Sequence, residues 1–138
     1  MNIASIDIKD MLLGESALGL EFAKNLFIGL EPSKPSDTVT IFDYSVIPPE
    51  VTLDGAGIDT PSVQIRVRSS NLEQASSLAE AIRKLLHGRA NETWNSTYYC
   101  LIYCTSGPQL LDWDENGRCR YVVSFNIQRR ESNEQQSI

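Results

Sequence analysis

Three cysteines, one histidine and one run of carboxylates are the side chains of this sequence with the most obvious capacity for chemistry. Cys100 and Cys104 fall on the same face of an extended strand, but at that separation they cannot clamp one ion. The paired C-x-x-C spacing and fourth ligand of a zinc site are missing. With Cys119 they make an odd number on predicted strands, which reads as buried reduced thiols. His87 stands before Gly88 at the end of a predicted helix, where an imidazole serves as a C-terminal charge or carbonyl donor. Nothing near it in sequence arranges a cysteine as a nucleophile. Asp112, Asp114 and Glu115 have the spacing of a calcium loop, yet a strand begins where its last glutamate ligand should be, so they read as a solvated turn. Gly55-x-Gly57 lacks a third glycine and a following helix, so it is no phosphate cradle. The residues offer no catalytic, metal or cofactor site, and the chain reads as a non-enzyme.

The clearest element is central. Val63, Ile65 and Val67 alternate with Gln64, Arg66 and Arg68, the period of a strand with one face on a core and one turned outward. Asn71 then occupies an N-cap position with Gln74 in the capping-box place. Leu72, Ala75, Leu78, Ala79, Ile82, Leu85 and Leu86 form one helical stripe that Gly88 ends.

Before it, residues from about Ile6 to Leu18 predict a helix with Asp7 as N-cap, ending near Gly19. The run at Asn25–Glu31 and the β-rich Thr38–Tyr44, separated by Pro35-Ser36-Asp37, predict an antiparallel hairpin. Ser45–Thr60, with Pro48, Pro49, Leu53 and Asp54, has no periodicity and reads as a long functional excursion. Beyond the central helix, a turn at Asn95-Ser96 leads into an apolar strand from Tyr98 that Ser106-Gly107-Pro108 should break. Asn116-Gly117 predicts a type I′ turn before an alternating strand from Arg118 to Ile127. The sum is α+β: a mostly antiparallel sheet of five or six strands with two helices packed on one face. The expected organisation is a single domain, 1–138, with its core at about 5–129 and a flexible C-terminal tail at 130–138.

The chain has 138 residues and a net charge of −6, so it repels a phosphate backbone at long range, and no basic run reverses this. No apolar run reaches the roughly 20 residues of a membrane span, and the N-terminus lacks the features of a signal peptide, so assembly in a cytoplasm is expected. What remains notable is surface. Arg66 and Arg68 on the outward strand face, the excursion, and Leu110, Leu111 and Trp113 between strands are candidate contacts with neighbours. Their plain alternatives are solvated arginines, a surface loop, and hydrophobes folded over the end of the core.

Taken in order, Leu26-Phe27-Ile28-Gly29, Thr38–Tyr44, Pro48-Pro49, Pro61–Arg68, Leu85-Leu86-His87-Gly88 and Asp114–Arg118 leading to Val123-Ser124-Phe125 resemble the minor capsid proteins of tailed bacteriophages. Within that group the likeness is to the tail terminators of long, non-contractile tails, and it runs from about Leu26 to Ile127. The resemblance implies a structural virion protein that forms a homohexameric ring on the head-proximal end of the tail tube. Such a ring would end tube polymerisation and join tail to head. Its partners would be tail tube protein and a head–tail connector or stopper, with DNA passing through the bore unbound and no membrane involved. A neck stopper or head-completion protein is the nearest alternative. A small cytosolic enzyme or ligand-binding domain is the alternative from another class.

Overall fold

The computed structural model describes residues 1–44, 50–51 and 57–132. Its frame is a six-stranded sheet. In chain order the strands are β1 (Leu26–Ile28), β2 (Thr38–Tyr44), β5 (Ser62–Ser69), β6 (Glu92–Trp94), β7 (Thr97–Trp113) and β8 (Cys119–Glu131), with β3 (Glu50–Val51) and β4 (Gly57–Ile58) pairing separately. The spatial order in the sheet is β1-β2-β5-β8-β7-β6, antiparallel except where β1 meets β2. Helices α1 (Ala4–Leu13) and α2 (Leu72–Leu86) cover one face. The α+β reading of the sequence therefore holds.

The core lies between that face and the helices. Val63, Ile65 and Val67 of β5, Val39 and Ile41 of β2, and Val123, Phe125 and Ile127 of β8 are buried beneath Ala75, Ala79, Ile82 and Leu86 of α2. At about 1.5–3 kcal/mol for each fully buried large aliphatic side chain, this packing rather than helix propensity holds α2 in place. The Asn71 side chain caps α2 by accepting the Gln74 N–H at 3.0 Å. Leu72, assigned to the stripe, instead stays exposed at the helix start.

Four local expectations are corrected. First, α1 ends at Gly14, with a separate 3-10 turn at Ser16–Leu18, and its N-cap is Ile3, which has no capping side chain. The cap comes from another strand: Asp43 of β2 accepts the Ser5 backbone N–H at 3.0 Å and the Ser5 hydroxyl. Asp7 is buried inside the helix. Second, β1 and β2 are parallel, not a hairpin. The chain from Gly29 to Asp37 returns across the sheet instead of reversing, and arginines grip it: Arg118 donates to the Ser33 carbonyl, and Arg68 to those of Pro35 and Ser36.

Third, β7 does not stop at Ser106-Gly107-Pro108 but runs through it with register shifts on both sides. An edge strand tolerates the missing proline donor, and Gly107 takes a φ of +88° there. Fourth, the turn after β7 is not type I′. Gly117 alone has positive φ, its N–H reaches the Asp114 carbonyl, and the Asp114 N–H reaches the Arg118 carbonyl, which describes a type I turn followed by a left-handed glycine. The Asn95-Ser96 turn does have both residues at positive φ, as a primed hairpin turn requires. β8 also continues to Glu131, past the point where a tail was expected to begin.

The bulge at Gly107 yields a direct test. A Cβ there would lie 2.4 Å from the Val122 carbonyl oxygen, in a backbone conformation that already disfavours L side chains. Gly107→Ala should therefore lower stability by roughly 2 kcal/mol or more, read as a shift of the urea midpoint with unchanged slope. A midpoint within error of wild type would show that the bulge yields freely.

Candidate interaction surface at the hairpin end

Two charged networks sit on opposite faces of the sheet. On the helix-covered face, Arg129 of β8 continues the apolar alternation Cys119, Tyr121, Val123, Phe125, Ile127 and points beneath α1, where it is buried. Its guanidinium donates to Asp59 at 2.8 Å, to the Asn2 carbonyl at 2.9 Å and to the Tyr99 hydroxyl at 3.2 Å. Tyr99 in turn donates to Asp7, whose other oxygen accepts from Asn95 at 2.7 Å. Burial drives the Tyr99 phenol pKa upward, and its bond to the Asp7 carboxylate adds to this. Burial alone would lower the Arg129 pKa, but the bonds to Tyr99 and Asp59 raise it, so both groups keep their ordinary protonation.

On the other face, Arg68 and Arg120 converge on Glu31 at 3.4 and 2.8 Å, and Arg120 also pairs with Asp112 at 3.0 Å. Arg118 binds Asp114 at 2.7 Å. Burial lowers the Arg68 pKa, with Glu31 opposing the shift. Of the carboxylates that resembled a calcium loop, Asp112 and Asp114 are thus engaged by arginines. Among the described residues no group of three or more His, Cys, Asp and Glu side chains is placed to hold a metal ion. The cysteines are unpaired and Cys119 is buried, which pushes its thiol pKa up. His87 accepts the Cys104 backbone N–H at its Nδ1, 2.9 Å away, and so ties the end of α2 to β7.

The candidate contact residues fare differently. Arg68 was expected on the open strand face, but only 2% of it is exposed, because the returning Gly29–Asp37 segment covers it. It is a structural residue of this chain and not a surface contact. Arg66 lies half-buried with its guanidinium over the Phe42 ring at 4.8 Å and its Nε bonded to Gln64 at 2.9 Å. Among the described residues no carboxylate pairs with it. Pro48, Pro49, Leu53 and Asp54 lie outside the described residues. Leu110, Leu111 and Trp113 are exposed, Trp113 by 52%, so they are not folded over the core. Leu110 faces Tyr121 and Trp113 faces Cys119 across the ladder, on the helix side of the sheet.

The same end holds an apolar residue that the sequence reading passed over. Leu30 is 75% exposed and neighbours Glu31, which Arg120 links to Asp112. In sequence it reads as the last residue of an apolar strand, and the signal against that is Gly29 before it, which takes a positive φ and ends β1. The edge of β7 is open here as well. β6 covers only Thr97–Tyr99, Arg89 pairs with Ile102, and among the described residues β8 is the one strand that pairs with the backbone from Thr105 to Trp113. An unpaired edge flanked by exposed Leu110, Leu111 and Trp113 is a surface suited to another polypeptide.

The sequence profile described as bacteriophage tail terminator protein matches residues 6–131. The chain belongs to the bacteriophage tail terminator family. It is a structural protein of the phage tail. Among solved structures, a chain of the virion of the native gene transfer agent particle superposes with a TM-score of 0.68 at 12% identity, over 93% of this chain and 97% of that one. At that identity the likeness is one of fold. No curated protein sequence matches the chain.

In this tail terminator family member the hairpin tip is set by one side chain. Asp114 accepts the backbone N–H groups of Asn116 and Arg118, each at 2.9 Å, and the Arg118 guanidinium. Burial would raise its pKa, but the Arg118 backbone and side-chain bonds outweigh that and hold it below 3.8. A lowered native pKa means that the stability it contributes is fully present above 3.8 and is lost as pH falls through the native value. Asp114→Asn should therefore lower the melting temperature at pH 7, and the difference from wild type should shrink below pH 3.8. A difference that stays constant down to about pH 2 would mean that shape and not charge sets the tip.

Proposed function

We propose that this chain is the tail terminator subunit itself, closing into a ring of six on the head-proximal end of the tail tube, where it ends tube growth and joins the tail to the head. The observation that carries the reading is the family match across almost the whole chain, joined to an open β7 edge with exposed apolar residues. A cyclic ring needs two unlike, complementary surfaces on each subunit, each burying about 800 Å². The β7 edge with Leu110, Leu111 and Trp113 supplies one of them. The excursion that holds Pro48, Pro49, Leu53 and Asp54 is the contact with tube or neck proteins. Arg66, free of any carboxylate among the described residues, is the contact to the connector or stopper. At −6 per subunit the ring disfavours retention of DNA, so DNA passes without specific binding. The reading implies a non-enzymatic virion protein assembled in the host cytoplasm, and a neck stopper or head-completion role is separated from it by capture of purified tube protein.

Two measurements check this. Light scattering of wild type should give the mass of a hexamer, and Leu110→Asp combined with Trp113→Ser should give a monomer with unchanged circular dichroism; a double variant that keeps the wild-type mass removes the β7 edge from the ring. Arg66→Glu should leave the ring intact and reduce joined virions by at least about tenfold, the scale of one lost charge-assisted contact. Normal virion yield from that variant would strike Arg66 from the connector contact.

A further inference from the structure

Both helices lie on one face of the sheet, and the Gly29–Asp37 segment is gripped on the other face at the row of Arg68 and Arg120. Beyond that row the second face carries Arg66, then Tyr44 and Tyr103 in one row across the ladder, then Arg130 beside Tyr98. From the row of Arg66 to the row of Arg130, the described residues of this face include no Asp, Glu or Lys, in a chain whose net charge is −6. Each of the two arginines is laid on a ring, Arg66 on Phe42 at 4.8 Å and Arg130 on Tyr98 at 4.6 Å. Among the described residues neither has a carboxylate partner, whereas Arg68, Arg83, Arg89, Arg118, Arg120 and Arg129 each have one.

We propose, resting on the terminator reading, that this face is the docking surface for a head-side partner protein, whose carboxylates meet Arg66 and Arg130 while Tyr44 and Tyr103 pack against it. Stacking fixes each guanidinium plane and leaves its terminal N–H groups free, the form in which arginine binds a carboxylate. Tyrosine and arginine without lysine or acid is the composition of a protein contact, not of ordinary solvated surface. A small anion cannot bridge the two arginines. Val122, which faces Arg66, and Arg130 are eight residues apart on β8, about 26 Å at roughly 3.3 Å per residue. A duplex carries a phosphate charge every ~1.7 Å, far more than two cations on a chain of −6 can offset. A neighbouring copy in the ring meets the β7 edge, which points along the sheet and not out of this face. A protein with acids matched to the two arginines satisfies all of these conditions, so the charge of the head-side contact is specified as well as its place.

The test joins purified tails, assembled with wild-type or variant chain, to purified heads of the same phage. Arg66→Gln and Arg130→Gln are used singly and together, and Lys24→Gln with Lys84→Gln removes the same charge from exposed positions elsewhere. The arginine pair should cut joining at least about tenfold, the scale of one lost charge-assisted contact, and each single variant should lose part of that. The lysine pair should join as wild type, and circular dichroism, ring mass and tail length should stay unchanged in every variant. Equal loss from the lysine pair overturns the proposal, because bulk charge would then suffice. Wild-type joining by Arg130→Gln overturns it too, since the contact would end at Arg66. A fall in ring mass would make the occupant a second copy, and full joining with weaker retention of a short DNA duplex would make it nucleic acid; either result overturns the proposal. Wild-type tails of uncontrolled length would count against the terminator reading instead. The face is then judged by titrating the full wild-type chain with a glutamate-rich peptide of about twelve residues, long enough to span both arginines. Paired shifts of the Arg66 and Arg130 side-chain N–H resonances support an acid-binding face, and their absence overturns it.

Discussion

A guanidinium cannot be buried in a sheet unless acceptors surround it, and of the three buried arginines among the described residues, Arg68, Arg118 and Arg129, the first and last organise this fold. An unpaired buried charge costs several kcal/mol, so each arginine dictates what must lie beside it. Arg129 requires Asp59, Tyr99, the Asn2 carbonyl and the nearby Asp7, which places the start of α1 and the return of the excursion at the same end of β8. Arg68 requires Glu31 and the carbonyls of Pro35 and Ser36, which places the segment between β1 and β2 across the opposite face. Parallel pairing of β1 with β2 is possible because that segment returns, and it returns under the hold of Arg68, Arg118 and Arg120.

This also explains which parts of the fold were legible in the sequence. Elements whose burial follows from apolar periodicity, β5, α2 and β8, are readable because one face of each is uniformly hydrophobic. The misreadings fall where polar residues do the work of the core. Arg68 alternates in phase with Arg66, so sequence alone makes them equivalent, yet one is sealed under a crossover and the other rests on Phe42. Asp7 reads as a cap because it is a carboxylate near a helix start, whereas the cap is Asp43, distant in sequence and visible only in three dimensions. A usable sign was present at Arg129: it keeps the odd-residue phase of the buried face of β8, and a charge in that phase calls for a buried partner. Leu110, Leu111 and Trp113 were recognisable as unusual, but register shifts in β7 decide which way each points, and bulges leave little trace in composition.

The distribution of satisfied and unsatisfied groups then indicates where the chain can act. Its charged clusters are closed within the chain: Asp112 and Asp114 bind Arg120 and Arg118, and His87 accepts a backbone N–H. The outer edge of β7 beyond Cys104 is the opposite case: among the described residues no strand pairs with it, and exposed leucines and a tryptophan lie beside it. Proteins usually blunt such an edge with charge, proline or a bulge. Here Pro108 and the register shifts, the last of them between Leu110 and Asp112, interrupt the edge, while among the described residues no strand pairs with the outer side of Leu110 to Trp113, so the edge is protected against indiscriminate pairing without being closed to a matched partner. A tail protein that must avoid random aggregation yet meet the right surface needs that combination. The same physics that makes the interior inert, arginines each surrounded by acceptors of their own chain, leaves the edge of one strand as the place where a second polypeptide has most to gain.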